Sequence, residues 1–374
     1  MPVVDRASVG VGLDMFGCPN RCRHCWFGQA PGGRMTEDDL RWVVAQFREF
    51  QRPGDDQPFW RQLRVSTWAR EPDFSPDYRR LYDLEQELSD LPSLRPKNEL
   101  LSVWRLARDP DYAPWAHSIG VRVCQLSFFG LEEVTDWAHR RSGAFHDLLI
   151  ATERLLAAGI RPRWQWFLTK RILLDLPGLI ALAETLRLRE RCETLGGPFA
   201  LFLHCPSPDG ESWHLEHLRP TAKELEQIPA WLREQSEKHI GQPIGRPEAK
   251  LVPRMLEERN PTLGAITDIS EPCGLWLHVT PAFDVYCNYW EIAPPWRLGN
   301  LKTDGMAAIL DALENDRPPG LHAAFRVPVS ELARRFGRPR GRRLYTPDDL
   351  KTRWVHLWVE THGGTAGGPS CAGC

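Results

Sequence analysis

Cys18-Pro19-Asn20-Arg21-Cys22-Arg23-His24-Cys25 sets three thiols in the pattern C-x3-C-x2-C inside one short loop. Three thiolates so close in sequence suit three corners of a cubic [4Fe–4S] cluster. The fourth iron then has no protein ligand, whereas electron-transfer clusters usually carry four cysteines. Three ligands and a vacancy point to chemistry at the cluster. A zinc knuckle is the competing reading, but zinc usually takes four ligands, and no fourth Cys or isolated His stands at a suitable spacing.

Outward from this loop, short apolar runs alternate with helical periodicity, the pattern of a βα repeat. Residues 8–16 read as a first strand that delivers the loop at its C-terminal end. Thr36 caps the next helix with Asp39 as its partner, and Leu40, Val43, Val44 and Phe47 form one apolar stripe. Leu63, Val65 and Thr67 alternate as a second strand, followed by a helix carrying Leu81, Leu84 and Leu88. Residues 100–105 read as a third strand and 121–127 as a fourth. A helix through Phe145, Leu148, Leu149, Thr152 and Leu156 closes at Gly159. Residues 161–168 and 199–205 read as the fifth and sixth strands, with a helix over 179–186 between them and another over 221–239 after them. The expected fold is α/β, a partial (β/α)6 TIM-like barrel, whose ligands sit over the C-terminal strand ends. Residues 241–270 are rich in proline, glycine and charge and read as a connector, placing a domain boundary near Ile269.

The chain has 374 residues and a net charge of −2 with both signs mixed throughout, so nothing points to nucleic acid or an anionic membrane. No apolar run approaches the roughly 18 residues of a membrane span. The N-terminus lacks a basic-then-apolar signal pattern, and the cysteine usage suits a reducing cytoplasm.

The cysteine spacing, with a ring-bearing residue (His24) just before the third cysteine, resembles the radical S-adenosylmethionine (radical SAM) superfamily. The resemblance implies that Cys18, Cys22 and Cys25 hold a [4Fe–4S] cluster and that S-adenosylmethionine (SAM) binds at its open iron. Reductive cleavage of SAM then gives a 5′-deoxyadenosyl radical that abstracts a hydrogen atom from substrate. Thr67-Trp68-Ala69-Arg70-Glu71-Pro72 looks like a degenerate Gly-Gly-Glu-Pro segment, so Glu71 is expected to hold the SAM ammonium; Ala69 and Arg70 replace the glycines. Ser127, followed by Arg140-Arg141-Ser142-Gly143-Ala144-Phe145, is similar to a stretch of the SPASM/Twitch branch. The implied SAM contacts are His24, Glu71, Ser127, Arg141 (a guanidinium fork suits a carboxylate) and Gln165, which shares a strand face with Arg163 and Phe167 and would reach the ribose.

Cys273, Cys287, Cys371 and Cys374 form a second set. With Cys273-Gly274-Leu275-Trp276, Asp284-Val285-Tyr286-Cys287 and Leu298-Gly299-Asn300-Leu301, they look like the Twitch module, which supplies four thiolates to an auxiliary [4Fe–4S] cluster. Structural zinc is the alternative for the same four thiolates. The division expected is 1–269, the radical SAM partial barrel, and 270–374, the auxiliary-cluster module. Cys124 and Cys192 read as small buried hydrophobes. Cys205, at the end of the sixth strand and facing the expected cavity mouth, is the candidate hydrogen-atom donor, with simple packing as its alternative. The run from Arg334 to Arg343 carries six arginines; it reads as a solvated loop, or as a dock for an acidic reductase or an anionic substrate.

The cysteine loop begins at Cys18, which leaves no room before it for a peptide-binding domain. The first expectation is therefore a hydroxylated small-molecule substrate (natural-product, sugar or cyclitol-like) undergoing dehydrogenation or epimerisation. Maturation of a ribosomal precursor peptide is the alternative, and a non-catalytic iron–sulfur scaffold or sensor a second. An electron donor such as flavodoxin or ferredoxin is the implied protein partner.

Overall fold

The computed structural model describes residues 6–28, 33–67, 73–97, 99–263, 274–287 and 291–362. Ten strands are described: β1 (Ser8–Leu13), β2 (Gln62–Ser66), β3 (Val123–Phe128), β4 (Arg161–Phe167), β5 (Ala200–His204), β6 (Arg246–Pro247), β7 (Trp276–Val279), β8 (Asp284–Cys287), β9 (Arg297–Asn300) and β10 (Leu344–Tyr345). They form a five-stranded sheet in the order β2-β1-β7-β8-β9, a three-stranded sheet in the order β3-β4-β5, and a short β6-β10 pair. β1 pairs parallel with both β2 and β7, β3 to β5 are parallel, and β7-β8-β9 is antiparallel.

β1 shows how the first sheet is packed on its two faces. Val9, Val11 and Leu13 are fully buried on one face, against Leu40, Val43 and Phe47 of the helix Glu37–Glu49. On the other face stand Gly10 and Gly12, where a Cβ would overlap the rings of Trp276 and His278 on β7. The glycines make room for side chains that lie across the β1 backbone. The capping box on the following helix forms as its sequence implies: the Asp39 N–H donates to Thr36 Oγ1 (3.1 Å) and the Thr36 N–H to Asp39 Oδ2 (2.9 Å).

Two cores accompany the two sheets. One joins β1 and β2 to β7–β9 and to the helices Gly305–Glu314 and Pro347–His362; the other packs helices such as Ala144–Ala157 and Ile172–Thr185 on β3–β5. The boundary expected near Ile269 lies outside the described residues; the segments on its two sides meet where β7 pairs with β1.

The expected six-stranded succession breaks after β2. Residues 100–105 are not a strand: a helix, Val103–Arg108, starts there, with Ser102 Oγ accepting from the Arg105 N–H (3.1 Å). The outer edge of β2 is sealed by side chains instead. The N–H groups of Leu63, Val65 and Thr67 donate to Asp90 Oδ2 (2.8 Å), Ser89 Oγ (2.9 Å) and Glu85 Oε1 (2.6 Å). With those N–H donors taken, β2 has no backbone donor at these positions for a further strand, and β1–β5 are divided between two sheets rather than joined in one continuous (β/α)6 wall. Two further expectations are corrected. The helix over 221–239 is two helices, Ala222–Leu225 and Ala230–Ile240, parted at Pro229, whose ring removes a backbone donor. The connector over 241–270 contains β6 and the helix Glu248–Met255, whose Leu251, Val252 and Met255 join the first core.

Candidate functional site

The cysteine loop leaves β1 through Gly17 (φ 79°), whose N–H donates to Asp14 Oδ1 (3.2 Å). Its shape is then fixed by the end of another helix. The helix Glu132–His139 stops at Arg140, which takes the left-handed conformation (φ 50°). A helix C-terminus leaves carbonyls without partners, and the loop supplies donors to three carbonyls of its last turn. The Arg23 N–H donates to Ala138 O (2.7 Å), the Arg21 N–H to His139 O (3.4 Å) and Arg23 Nε to Trp137 O (3.2 Å). From the far side, the Glu211 N–H donates to Cys25 O (2.9 Å). Gly210 (φ 53°) passes so close that a Cβ there would overlap the carbonyl oxygens of Cys25 and Trp26.

Cys18, Cys22 and Cys25 are all partly accessible. Cys22 Sγ lies 3.4 Å from His139 Nδ1, and the Asn20 N–H stands 3.4 Å from Cys18 Sγ. His139 Nε2 is 3.4 Å from Ser127 O. His24 packs into an aromatic nest, with ring centroids 4.5 Å from Phe129, 4.8 Å from Phe167 and 5.6 Å from His139. Burial holds the His24 imidazole well below its usual range and pulls His139 down to about 4, so both rings are neutral at pH 7. His24 Nδ1 is sealed from solvent and has no hydrogen-bond partner among the described residues.

Below the nest, β3, β4 and β5 present polar side chains on the face opposite the helices. Gln125 Nε2 donates to Gln165 Oε1 (2.5 Å), Ser127 Oγ to the same oxygen (3.3 Å), and Arg163 Nη2 to Gln125 Oε1 (2.8 Å). Ser127 and Gln165 are therefore brought together, under the same end of the sheet as His24. Arg141 stands apart, latched to the cysteine loop: Nε donates to Asn20 Oδ1 (2.6 Å) and Nη1 pairs with Asp147 (2.6 Å). Its guanidinium serves those two partners in this structure.

Cys205 faces the other way from what the sequence suggests. It belongs with Leu201 and Leu203 in the helix-facing core, fully buried, and burial pushes its thiol up to about 11. The inward position at this strand end belongs to His204, 6.5 Å from Phe167 between ring centroids. Glu71, Cys273, Cys371 and Cys374 lie outside the described residues. Cys287 is buried on β8, opposite Leu277. In the arginine run, Arg338 and Arg343 reach Glu216 (3.6 and 2.8 Å) and Arg335 reaches His362 (2.6 Å), while Arg334, Arg335, Arg338, Arg340 and Arg342 stay exposed, as a solvated stretch should.

Two buried carboxyls stand behind the strap at Gly210. Trp296 Nε1 donates to Glu291 Oε1 (3.2 Å), and the Gly210 N–H also donates to the Glu291 carboxylate. Burial pushes Glu291 up to about 7 and Asp209 up to about 6; the nearby Asp209 carboxylate adds to the first shift and Asp349 to the second. Sequence reasoning missed His139, Gly210, Asp209 and Glu291. Pro208-Asp209-Gly210 carries a turn signal, but that signal does not say which carbonyls the glycine passes.

Among the described residues, no three His, Cys, Asp or Glu side chains converge to hold one metal ion. Ligands to three separate irons of a cube stand farther apart than ligands around a single ion at about 2.3 Å. A cluster fits the donor set of three thiols on one backbone-fastened loop, and the orphaned His24 Nδ1 fits a polar ligand at the same mouth.

No family model matches the chain, and no curated protein matches it. Among solved structures it is similar to anSMEcpe with bound AdoMet, at TM-score 0.48 and 12% identity over 95% of this chain and 97% of that one. It is also similar to anSMEcpe with AdoMet and the Cp18Cys peptide, at 0.47 and 12% over 96% and 98%. Streptococcus suis SuiB bound to the precursor peptide SuiA gives 0.38 and 10% over 75% and 59%. Likenesses of this strength assign no residue a role.

Proposed function

We propose that the chain is a radical SAM enzyme whose Cys18, Cys22 and Cys25 hold a [4Fe–4S] cluster. One observation carries the reading: the C-x3-C-x2-C loop is fastened through its backbone at the C-terminal end of a parallel strand, beside a neutral aromatic nest. When bound, the cluster and SAM supply a 5′-deoxyadenosyl radical for hydrogen abstraction. The protein's part is to hold the loop, to exclude water and to orient ligands. Phe129, Phe167 and the neutral imidazoles of His24 and His139 form a low-dielectric wall. The Ser127–Gln165–Gln125 chain offers hydrogen-bond partners for a ribose on the inner face of β3 and β4. Glu71 remains the proposed ammonium ligand, and Cys273, Cys287, Cys371 and Cys374 the proposed auxiliary set, with an external flavodoxin or ferredoxin as reductant.

The substrate is proposed as a peptide or a hydroxylated small molecule. The peptide is the first probe, a choice prompted by the peptides in the anSMEcpe and SuiB structures. The small-molecule expectation drew only on where the sequence begins.

The test is anaerobic reconstitution of wild type and of the triple Cys18→Ala, Cys22→Ala, Cys25→Ala variant, followed by dithionite and SAM. Wild type is expected to release 5′-deoxyadenosine and the variant none. Two clusters give about eight irons per chain, and one cluster with structural zinc about four irons and one zinc. Wild type with a verified cluster that releases no 5′-deoxyadenosine, with either substrate class present, replaces the enzyme reading with the scaffold one.

A further inference from the structure

The last residue of the helix Glu132–His139 meets the cysteine loop twice, through its backbone and through its ring. The His139 carbonyl accepts from the Arg21 N–H (3.4 Å), and His139 Nδ1 stands 3.4 Å from Cys22 Sγ. The Ala138 carbonyl beside it accepts from the Arg23 N–H (2.7 Å). Arg21 and Arg23 are the two neighbours of Cys22 in sequence, so Cys22 is pinned on both sides to the helix end that carries the ring. The ring itself is held in place. It is buried, its Nε2 lies 3.4 Å from Ser127 O, and it meets Phe129 and His24 edge-on, with centroids 6.0 and 5.6 Å apart.

A neutral imidazole has one N–H and one lone pair, and two acceptors compete for this one. The Ser127 carbonyl only accepts. A cysteine sulfur bound to iron has no proton and also only accepts, but it carries negative charge. Hydrogen bonds to a charged acceptor are roughly twice as strong as those between neutral groups. We infer that in the iron-loaded protein His139 presents its Nδ1–H to the Cys22 sulfur and thereby raises the reduction potential of the first cluster. Reduction adds one electron and one negative charge, with no proton taken up and no bond to the protein made or broken. An N–H dipole aimed at a ligand sulfur stabilises the more negative state, and hydrogen bonds to the sulfurs help to set such potentials. His139 acts through Cys22 and touches no iron itself, so it is a positioning residue. It makes the cluster easier for the external one-electron donor to reduce. The inference rests on the cluster of the radical SAM reading and adds to it a residue that the cysteine motif does not contain.

The test compares wild type, His139→Phe, His139→Asn and His139→Gln, each reconstituted anaerobically with iron and sulfide. Phe keeps a ring for the edge-on contacts and removes both nitrogens. Asn carries its amide N–H at about the reach of Nδ1, and Gln at about the reach of Nε2. The midpoint potential is read by titration with dithionite and mediators, following the electron paramagnetic resonance signal of the reduced cluster. Iron per chain and Tm are measured beside it. His139→Phe is expected to keep its iron and to lower the reduction equilibrium constant about tenfold, a midpoint lower by about 59 mV for one electron. His139→Asn is expected to return the potential toward wild type, and His139→Gln to leave it at the Phe value. An unchanged or raised potential in His139→Phe overturns the inference, whatever happens to iron or Tm, since a purely structural role moves those alone. Where His139→Phe loads no iron, the Asn and Gln variants decide, and equal potentials in the two overturn the inference. Wild type whose reduced cluster shows no change in its signal on adding SAM overturns the radical SAM reading instead.

Discussion

The cysteine loop after β1 and the residues that flank 68–72 after β2, Thr67 and Asp73, follow neighbouring parallel strands and are held by opposite means. The cysteine turn after β1 is fastened mainly through main-chain groups: Arg21 and Arg23 N–H to the helix end at Ala138 and His139, and Cys25 O to the Glu211 N–H. Thr67 and Asp73 are fastened by buried polar and charged side chains, Glu85, Arg95 and Arg105, with Tyr112. A main-chain clamp is nearly indifferent to side-chain identity, so the loop's residues can be set by ligation chemistry rather than by folding. A side-chain clamp is specific and can be loosened one hydroxyl at a time. The first should fail only where a backbone approach is blocked, and the second in graded steps.

The sharpest way to break this comparison is Gly210→Ala. A Cβ there would overlap the Cys25 and Trp26 carbonyl oxygens, and φ is 53°. The strap must lift off the third cysteine, at about 3 kcal/mol or more from overlap and strain together. Iron per reconstituted chain should fall to background for the first cluster, and Tm should drop. Arg21→Ala, which keeps its backbone donor, should load iron normally. Normal loading in Gly210→Ala would mean the clamp is not what holds Cys25.

How far each fastening was legible follows from what kind of bond it is. The cysteine spacing, the Thr36–Asp39 capping box and the apolar alternation behind β1, β3, β4 and β5 are local, and periodicity reads them directly. The plugging of the helix end at His139 by Arg21 and Arg23 joins backbone groups more than a hundred residues apart, and backbone donors leave no trace in residue identity. Glu85 did leave a trace, since it stands four residues after Leu81 on the buried face of the helix Tyr78–Leu88. A carboxylate in an apolar stripe asks for a buried cation, but the stripe does not name Arg95. The error over residues 100–105 has the same root. Leu101 does pack inward, though Leu100 is exposed; Ser102 is a good helix cap, and β2 had already spent its N–H edge on Glu85, Ser89 and Asp90.

Behind the strap, Glu291 sharpens the comparison through pH. Burial raises its carboxyl from 4.5 to about 7, so the folded state prefers the protonated form. That contribution is fully present below about pH 4.5 and is lost as pH rises through 7; the span is worth about 3 kcal/mol. Asp209, raised from 3.8 to about 6, runs in the same direction. His24, His139 and His356, all lowered by burial, run in the opposite one, so the difference between variants is the quantity to read. Relative to wild type, Glu291→Gln should gain stability between pH 4.5 and 7 and show no further change above. A difference that stays flat across that range would show that Glu291 ionises in the folded protein as it does in the unfolded one.

The smallest expected effect tests whether the side-chain fastening of β2 really comes in independent steps. Ser89→Ala removes the hydroxyl that accepts from the Val65 N–H (2.9 Å), while Asp90 and Glu85 keep their bonds to Leu63 and Thr67. One buried backbone donor then loses its partner, at a cost of about 1 kcal/mol, and Tm should fall by about 2 °C for a chain of this size. Iron loading and SAM affinity should not move, because the Ser89 hydroxyl meets the strand edge and not the side chains of Glu85 or Arg95, and the Ser89 N–H keeps its bond to Glu85 O. The additive test is the double variant Ser89→Ala, Tyr112→Phe, whose stability loss should equal the sum of the two singles, since the two share no partner. A loss well beyond that sum would mean that the edge of β2 and Asp73 move as one body. The side-chain clamp would then be as cooperative as the main-chain one.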